Sequence, residues 1–105
     1  LNATANITGG GIIENIKRSI PNNLTANIDL SKIRVSKIFK WIKKKNLSDK
    51  EMLKTFNCGV GFCLIAEKNK INKINKFFEN KYKPYEIGFV SRSKKQIKFF
   101  NRIKW

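Results

Sequence analysis

A chain of 105 residues is enough for one small domain and leaves no room for two. Its 23 Lys and Arg against 7 Asp and Glu give a net charge of +16, a balance that ordinarily raises nucleic acid or an anionic membrane as partner. No stretch reaches the roughly 18 apolar residues of a membrane span, and the first residues lack the charged and apolar regions of a signal peptide, so a soluble, cytoplasmic protein with no membrane partner is expected.

The charge has a simpler origin than a polyanion. Lys, Asn, Ile and Phe, whose codons can be built almost wholly from A and T, fill 55 of the 105 positions. An AT-biased genome therefore accounts for the lysines. Base-reading and phosphate-clamping surfaces favour Arg forks, and the chain has four Arg. Nucleic acid is not the expected primary partner, although the charge can help attract a phosphorylated substrate. The two cysteines, Cys58 and Cys63, are five apart. On an extended strand that spacing turns them to opposite faces, so two buried thiols are expected and not a disulfide. With no histidine and no third cysteine, no metal site of the usual structural kind is expected. Sequons at Asn2, Asn6, Asn23 and Asn46 are chance products of an asparagine-rich chain.

In chain order, Asn2 to Ile7 reads as the end of a strand, running directly into Thr8-Gly9-Gly10-Gly11. An apolar pattern already under way by Ile7 is expected of a piece of a larger protein. Ile12, Ile13, Ile16 and Ile20 then recur at helical spacing, with Glu14, Lys17 and Arg18 on the other side. Pro21-Asn22-Asn23 stops that helix. Thr25 to Leu30 reads as a strand, Ala26 and Ile28 alternating with Asn27 and Asp29. Ser36 can cap a second helix bearing Ile38, Phe39, Trp41 and Ile42 on one side, with Lys43-Lys44-Lys45 at its solvated C-terminal end. Ser48-Asp49-Lys50-Glu51 has the capping-box pattern and predicts a short third helix to about Leu53.

Gly59 to Ala66 is apolar on both alternating faces, as expected for a central strand covered on both sides. Ile71, Ile74, Phe77 and Phe78 predict an amphipathic helix from Asn69 to Tyr82, ended by Lys83-Pro84. Tyr85 to Ser91 and Gln96 to Ile103 complete the strands, the second a solvent-facing edge with Lys98, Arg102 and Lys104 turned outward. A polar hairpin loop, Ser91 to Lys95, is expected to join them. The fold class is α+β (mixed α/β), a mixed sheet with helices packed on it, too small to close its core convincingly alone.

A glycine cluster between a strand and a helix has a physical use. Glycine lets backbone approach a ligand, and the helix start offers unpaired N–H groups and a positive dipole end, which suits phosphate. The run alone lacks the lysine of a P-loop and the spacing of a dinucleotide fingerprint, so a plain tight turn remains open on that evidence. The surrounding residues carry more. Ala5-Asn6-Ile7-Thr8-Gly9-Gly10-Gly11-Ile12-Ile13-Glu14-Asn15-Ile16-Lys17-Arg18 resembles the pattern A-H-I-T-G-G-G-x-x-E-N-I-P-R of the aminoimidazole ribonucleotide synthetases. Ala26-Asn27-Ile28-Asp29, Val35 and Phe39-Lys40-Trp41-Ile42 are similar to that family's A-x-I-D and V-F-x-W-[LI] stretches. Glu51 to Gly61 (EMLKTFNCGVG) resembles its E-M-x-x-T-F-N-C-G-[VI]-G block, and Tyr85-Glu86-Ile87-Gly88 its closing x-x-I-G. The resemblance covers nearly the whole chain.

It implies part of the C-terminal domain of a phosphoribosylformylglycinamidine cyclo-ligase, an enzyme of purine biosynthesis. Such an enzyme uses ATP to close the imidazole ring of formylglycinamidine ribonucleotide. ATP and Mg, by the same resemblance, are bound mainly by an N-terminal domain outside these residues, through which a homodimer also forms. Residues 1–105 are then expected to supply the phosphate-facing loop Thr8, Gly9, Gly10 and Gly11. Asn15, Arg18, Asn57, Gly59 and Gly61 are secondary candidates, and no general base is assigned. Glu14 and Asp29 can equally tie down loops. Asn6 departs from the family's His, and Asn donates a hydrogen bond but carries no proton near neutral pH. Lys17 and Ser36 stand where Pro is usual. Two alternatives remain. One is a relative of formylglycinamidine ribonucleotide synthetase, selenophosphate synthetase or hydrogenase-maturation type, which should lack T-F-N-C-G-V-G. The other is a basic nucleic-acid-binding module, whose affinity should fall steeply with salt.

Overall fold

The computed structural model describes residues 1–105. Nine regular elements follow one another: β1 (Ala3–Asn6), α1 (Gly11–Ser19), β2 (Leu24–Asp29), α2 (Lys37–Lys43), α3 (Asp49–Thr55), β3 (Phe62–Ile65), α4 (Ile71–Asn75), β4 (Gly88–Arg92) and β5 (Ile97–Phe100). The α+β expectation holds, and no helix is long and apolar enough to cross a membrane.

The sheet is split in two. β1 pairs antiparallel with β3, while β2 lies between β4, antiparallel, and β5, parallel. The central strand is therefore β2, whose Ala26 and Ile28 enter the core and whose Thr25 is fully buried. Two sequence expectations are corrected here. The Gly59–Ala66 stretch is not a central strand: only Phe62–Ile65 is extended, and it has one neighbour, β1. Gly59 at φ +106° and a Val60 N–H bonded back to the Asn57 carbonyl hold its first residues in a turn. Nor do the last two strands form a hairpin, because β2 sits between them. The 93–96 connection crosses the start of β2, bound by the Thr25 hydroxyl to the Lys95 carbonyl, by the Ser93 N–H to Asn23, and by the Gln96 amide to Ile20 and Asn22. A buried hydroxyl must find an acceptor, and this one finds it seventy residues away.

The expected helix over Asn69–Tyr82 is also shorter. It is helical from Ile71 to Asn75 between two short 3₁₀ turns, and none of its residues is buried. Ile71 and Ile74 are only half-buried and Phe77 is 80% exposed, so its apolar stripe is incompletely packed, and packing is what stabilises short helices. The α2 stripe divides likewise. Phe39 and Ile42 lie against the core, whereas Ile38 and Trp41 are more than half exposed.

α3 begins where its capping box predicts, the Ser48 hydroxyl accepting the Glu51 N–H at 3.2 Å, and runs on to Thr55. Its first residue, Asp49, accepts the Trp105 indole N–H at 2.9 Å and lies near Lys43 and Arg102. The core joins α1, α3, β1 and β2, with Ile12 and Met52 wholly enclosed. Both cysteines are free thiols. Cys58 lies in a left-handed turn and not on a strand, so strand parity does not govern it.

β5 stops at Phe100 because Asn101 turns left-handed, at φ +58°. Its amide donates at 3.0 Å to Asp29, which also accepts from the Ser31 hydroxyl and N–H. The Ser31 hydroxyl, then Asn101, hold the Asp29 carboxyl below its ordinary 3.8. A carboxyl lowered on folding stabilises the fold fully above its ordinary value and loses that contribution as pH falls through the lowered one. Asp29→Asn should therefore lower the melting temperature at pH 7, with the gap to wild type closing as thermal melts are taken below pH 3.8.

Candidate functional site: a glycine loop between β1 and α1

β1 delivers the chain to the loop, and Ile7 anchors it. Ile7 is 2% exposed and donates its N–H to the Gly61 carbonyl at 2.9 Å. The next four residues turn sharply, the Gly11 N–H closing on the Thr8 carbonyl at 3.0 Å. Gly10 and Gly11 take φ of +93° and +66°, the left-handed region that costs a residue with a Cβ. Gly11 has a second reason to be glycine. A methyl there would overlap the Leu53 carbonyl oxygen of α3, so the start of α1 rests directly on α3 backbone. Gly9 is open, with nothing near its missing side chain.

Asn15 organises this turn from below. It is 6% exposed, and its side-chain amide donates to the carbonyls of Gly11 at 2.7 Å, Gly9 at 3.2 Å and Thr8 at 3.3 Å. Two N–H donors thus draw three carbonyl oxygens inward. The N–H groups of Gly9 and Gly10 donate to no acceptor in the chain. The result is a short arc of free donors at the positive end of a nine-residue helix, the arrangement that holds anions.

Glu14 and Arg18 sit at the rim. They form an i,i+4 ion pair at 3.7 Å, both side chains more than half exposed. A Cβ on Gly10 would meet the Glu14 carboxylate, so that carboxylate lies against the loop and Arg18 reaches it only through Glu14. An exposed pair of this kind is worth less than about 1 kcal/mol and opens easily. Glu14 was not among the expected site residues, although its spacing from Arg18 on one helix face was readable.

The second group of candidates is placed elsewhere. The Asn57 side chain accepts the Gly59 N–H at 2.8 Å, an Asx turn that shapes the entry to β3. A Cβ at Gly59 would crowd the Arg34 carbonyl and the Ser36 N–H, so this glycine serves packing against the segment before α2. Gly61 alone reaches the loop's neighbourhood, through its carbonyl on Ile7. Asn6, opposite Phe62, is exposed at the end of β1. Burial raises both thiols to about 11, Asp49 adding to the effect at Cys58, so neither is a thiolate nucleophile at neutral pH. No three Cys, Asp or Glu side chains converge where they could hold a metal ion.

The sequence that builds this loop between β1 and α1 has relatives. The chain belongs to the family of AIR synthase related proteins, C-terminal domain, which matches residues 1–99. It is 42% identical over 92 residues to the phosphoribosylformylglycinamidine cyclo-ligase of Xylella fastidiosa, a match covering 86% of this chain and 26% of that protein. It is also 42% identical over 96 residues to the bifunctional purine biosynthetic protein purD of Dictyostelium discoideum, covering 90% and 12%. Over 67 residues it is 52% identical to the trifunctional purine biosynthetic protein adenosine-3 of Chironomus tentans, covering 63% and 5%. The chain thus spans about a quarter of the cyclo-ligase and less of the multifunctional relatives.

Two glycines and Asn15 of this family member should respond differently to alanine. Gly11→Ala must adopt a left-handed φ and displace α3, costing about 2–4 kcal/mol, whereas Gly9→Ala should stay within about 0.5 kcal/mol of wild type. Asn15→Ala strips the carbonyls of their donors and should cost about 1–3 kcal/mol. Urea unfolding of the three variants measures this ranking.

Proposed function

We propose that the chain works within an ATP-dependent cyclo-ligase that converts formylglycinamidine ribonucleotide to aminoimidazole ribonucleotide in the cytoplasm. Its own share is the phosphate-holding loop. The observation that carries this reading is the pair of unpaired Gly9 and Gly10 N–H groups at the start of α1. They stand in a chain whose relatives include named cyclo-ligases.

The residues present fit a phosphate group. Gly9 and Gly10 donate to its oxygens, and Asn15 holds the Thr8, Gly9 and Gly11 carbonyls inward, so the donors need no rearrangement when the anion arrives. Arg18 exchanges the Glu14 carboxylate for the phosphate, a swap made cheap by the exposure of both side chains. When bound, ATP supplies the activation of the formyl oxygen as a phosphate leaving group. Mg and most nucleotide contacts are assigned to an N-terminal domain outside these residues, which also carries the homodimer contact. Asn6 can orient a substrate oxygen by hydrogen bonding but cannot relay a proton near neutral pH, and no residue of the loop is given the role of general base.

Gly9→Ala provides the test because it should spare stability. With the chain in its parent protein, a methyl facing the ligand should reduce kcat/KM for ring closure by roughly 10–100-fold. Gly10→Val should reduce it further. Near-normal turnover and substrate affinity in both variants would remove the loop from the site.

A further inference from the structure

The match to the family ends at residue 99, and the chain runs on through Asn101-Arg102-Ile103-Lys104-Trp105 in no regular element. No backbone hydrogen bond holds these five residues. Side chains hold them instead. Asn101 turns left-handed and ties its amide to Asp29 at 3.0 Å. Ile103 is 5% exposed within the core, and Trp105 packs against the same core, while Arg102 and Lys104 face solvent. The segment therefore ends inward, where the Trp105 indole N–H donates to the Asp49 carboxylate at 2.9 Å. Lys43 and Arg102 lie 3.6 and 3.9 Å from that carboxylate. The indole bond is charge-assisted and half-buried, whereas Arg102 is 91% exposed and adds little.

Asp49 is the first residue of α3, and Leu53 lies one turn further along the same face. The Leu53 carbonyl is where the start of α1 rests, with no side chain on Gly11 to take up slack. A helix of seven residues does not keep its place without tertiary contacts. We propose that residues 101–105 form a clasp, closed by the bond from the Trp105 indole to Asp49, that seats α3 under the Gly11 turn and so sets the aim of the Gly9 and Gly10 N–H groups. Trp105 and Asp49 are then positioning residues for the anion site, acting through α3 without touching the ligand. The clasping residues lie outside the segment matched by the family, so the family's own motifs do not supply them. The link to ligand rests on the reading that the loop holds phosphate.

The test follows single amides by NMR in the parent protein, where exchange of the Gly11 N–H reports the turn it closes onto Thr8. The Ile7 and Ala26 amides, bonded to Gly61 and Gln96, serve as references for the fold as a whole. Deletion of residues 102–105, Trp105→Phe and Asp49→Ala should each speed exchange at Gly11 about tenfold, with Ile7 and Ala26 staying within about twofold. Asp49→Asn keeps an acceptor for the indole and should hold Gly11 within about twofold of wild type. Combining Asp49→Ala with Trp105→Phe should add nothing to either alone. Unchanged Gly11 exchange in Trp105→Phe overturns the proposal. So does a Gly11 rate that rises only in step with Ile7 and Ala26, the mark of general destabilisation. Asp49→Asn as fast as Asp49→Ala overturns the indole bond as the closure. If the deletion unfolds the protein, Trp105→Phe, which keeps an aromatic ring against the core, still decides. Inorganic phosphate is the second probe. It should shift the Gly9 and Gly10 amide resonances, with a Kd raised about tenfold by Trp105→Phe. A wild-type Kd in that variant, with Gly11 exchange raised, overturns the clasp as what aims the donors. Resonances unmoved by phosphate in the wild type, with Gly11 still answering to the clasp, count against the phosphate reading and support the clasp as the support of the turn.

Discussion

The contact between the start of α1 and the backbone of α3 governs the rest of this molecule. Gly11 carries no side chain because the Leu53 carbonyl occupies its place, and Asn15, one turn on, ties the loop carbonyls to the same helix. Together they fix where β1 ends, how the loop turns and which way its donors face. α3 must be firmly set for this to work. Its N-terminus is capped by Ser48 and tied to the chain's last residue through Asp49 and Trp105. The loop's geometry is thus held from two directions that lie far apart in sequence.

That arrangement also separates the residues that shape the loop from those that can meet a ligand. Asn15 stands within the E-N-I motif beside Arg18, but it is buried and its donors are spent on backbone. Arg18 is exposed and paired only with a carboxylate that can leave. A motif read as a string places both in one site, whereas burial assigns them different work. The same holds for the T-F-N-C-G-V-G block. There Asn57 and Gly59 form a turn packed on Arg34 and Ser36, and only Gly61 reaches Ile7.

The half-open architecture follows from the same economy of contacts. Core burial is concentrated where α1, α3, β1 and β2 meet. Away from it, α4 and the outer faces of β3 and β4 expose aromatic and aliphatic side chains, because nothing within 105 residues is left to cover them.

Local signals determined much of this protein by themselves. Isoleucine spacing and Pro21 delimit α1, the Ser48 capping box starts α3, and the glycine run marks the turn between β1 and α1, since each depends on residues within one or two turns of the chain. The family was legible for the same reason, being written in contiguous motifs. Tertiary structure decided what depends on distant partners. It made β2 and not Gly59–Ala66 the central strand, because Thr25 and Asn23 capture the 93–96 connection across seventy residues. It shortened α4, whose apolar stripe is only partly covered. It gave Asn15 to the loop's carbonyls and left the Gly9 and Gly10 donors free, since hydrogen-bond partners are allotted by proximity in the folded chain and not by order along it.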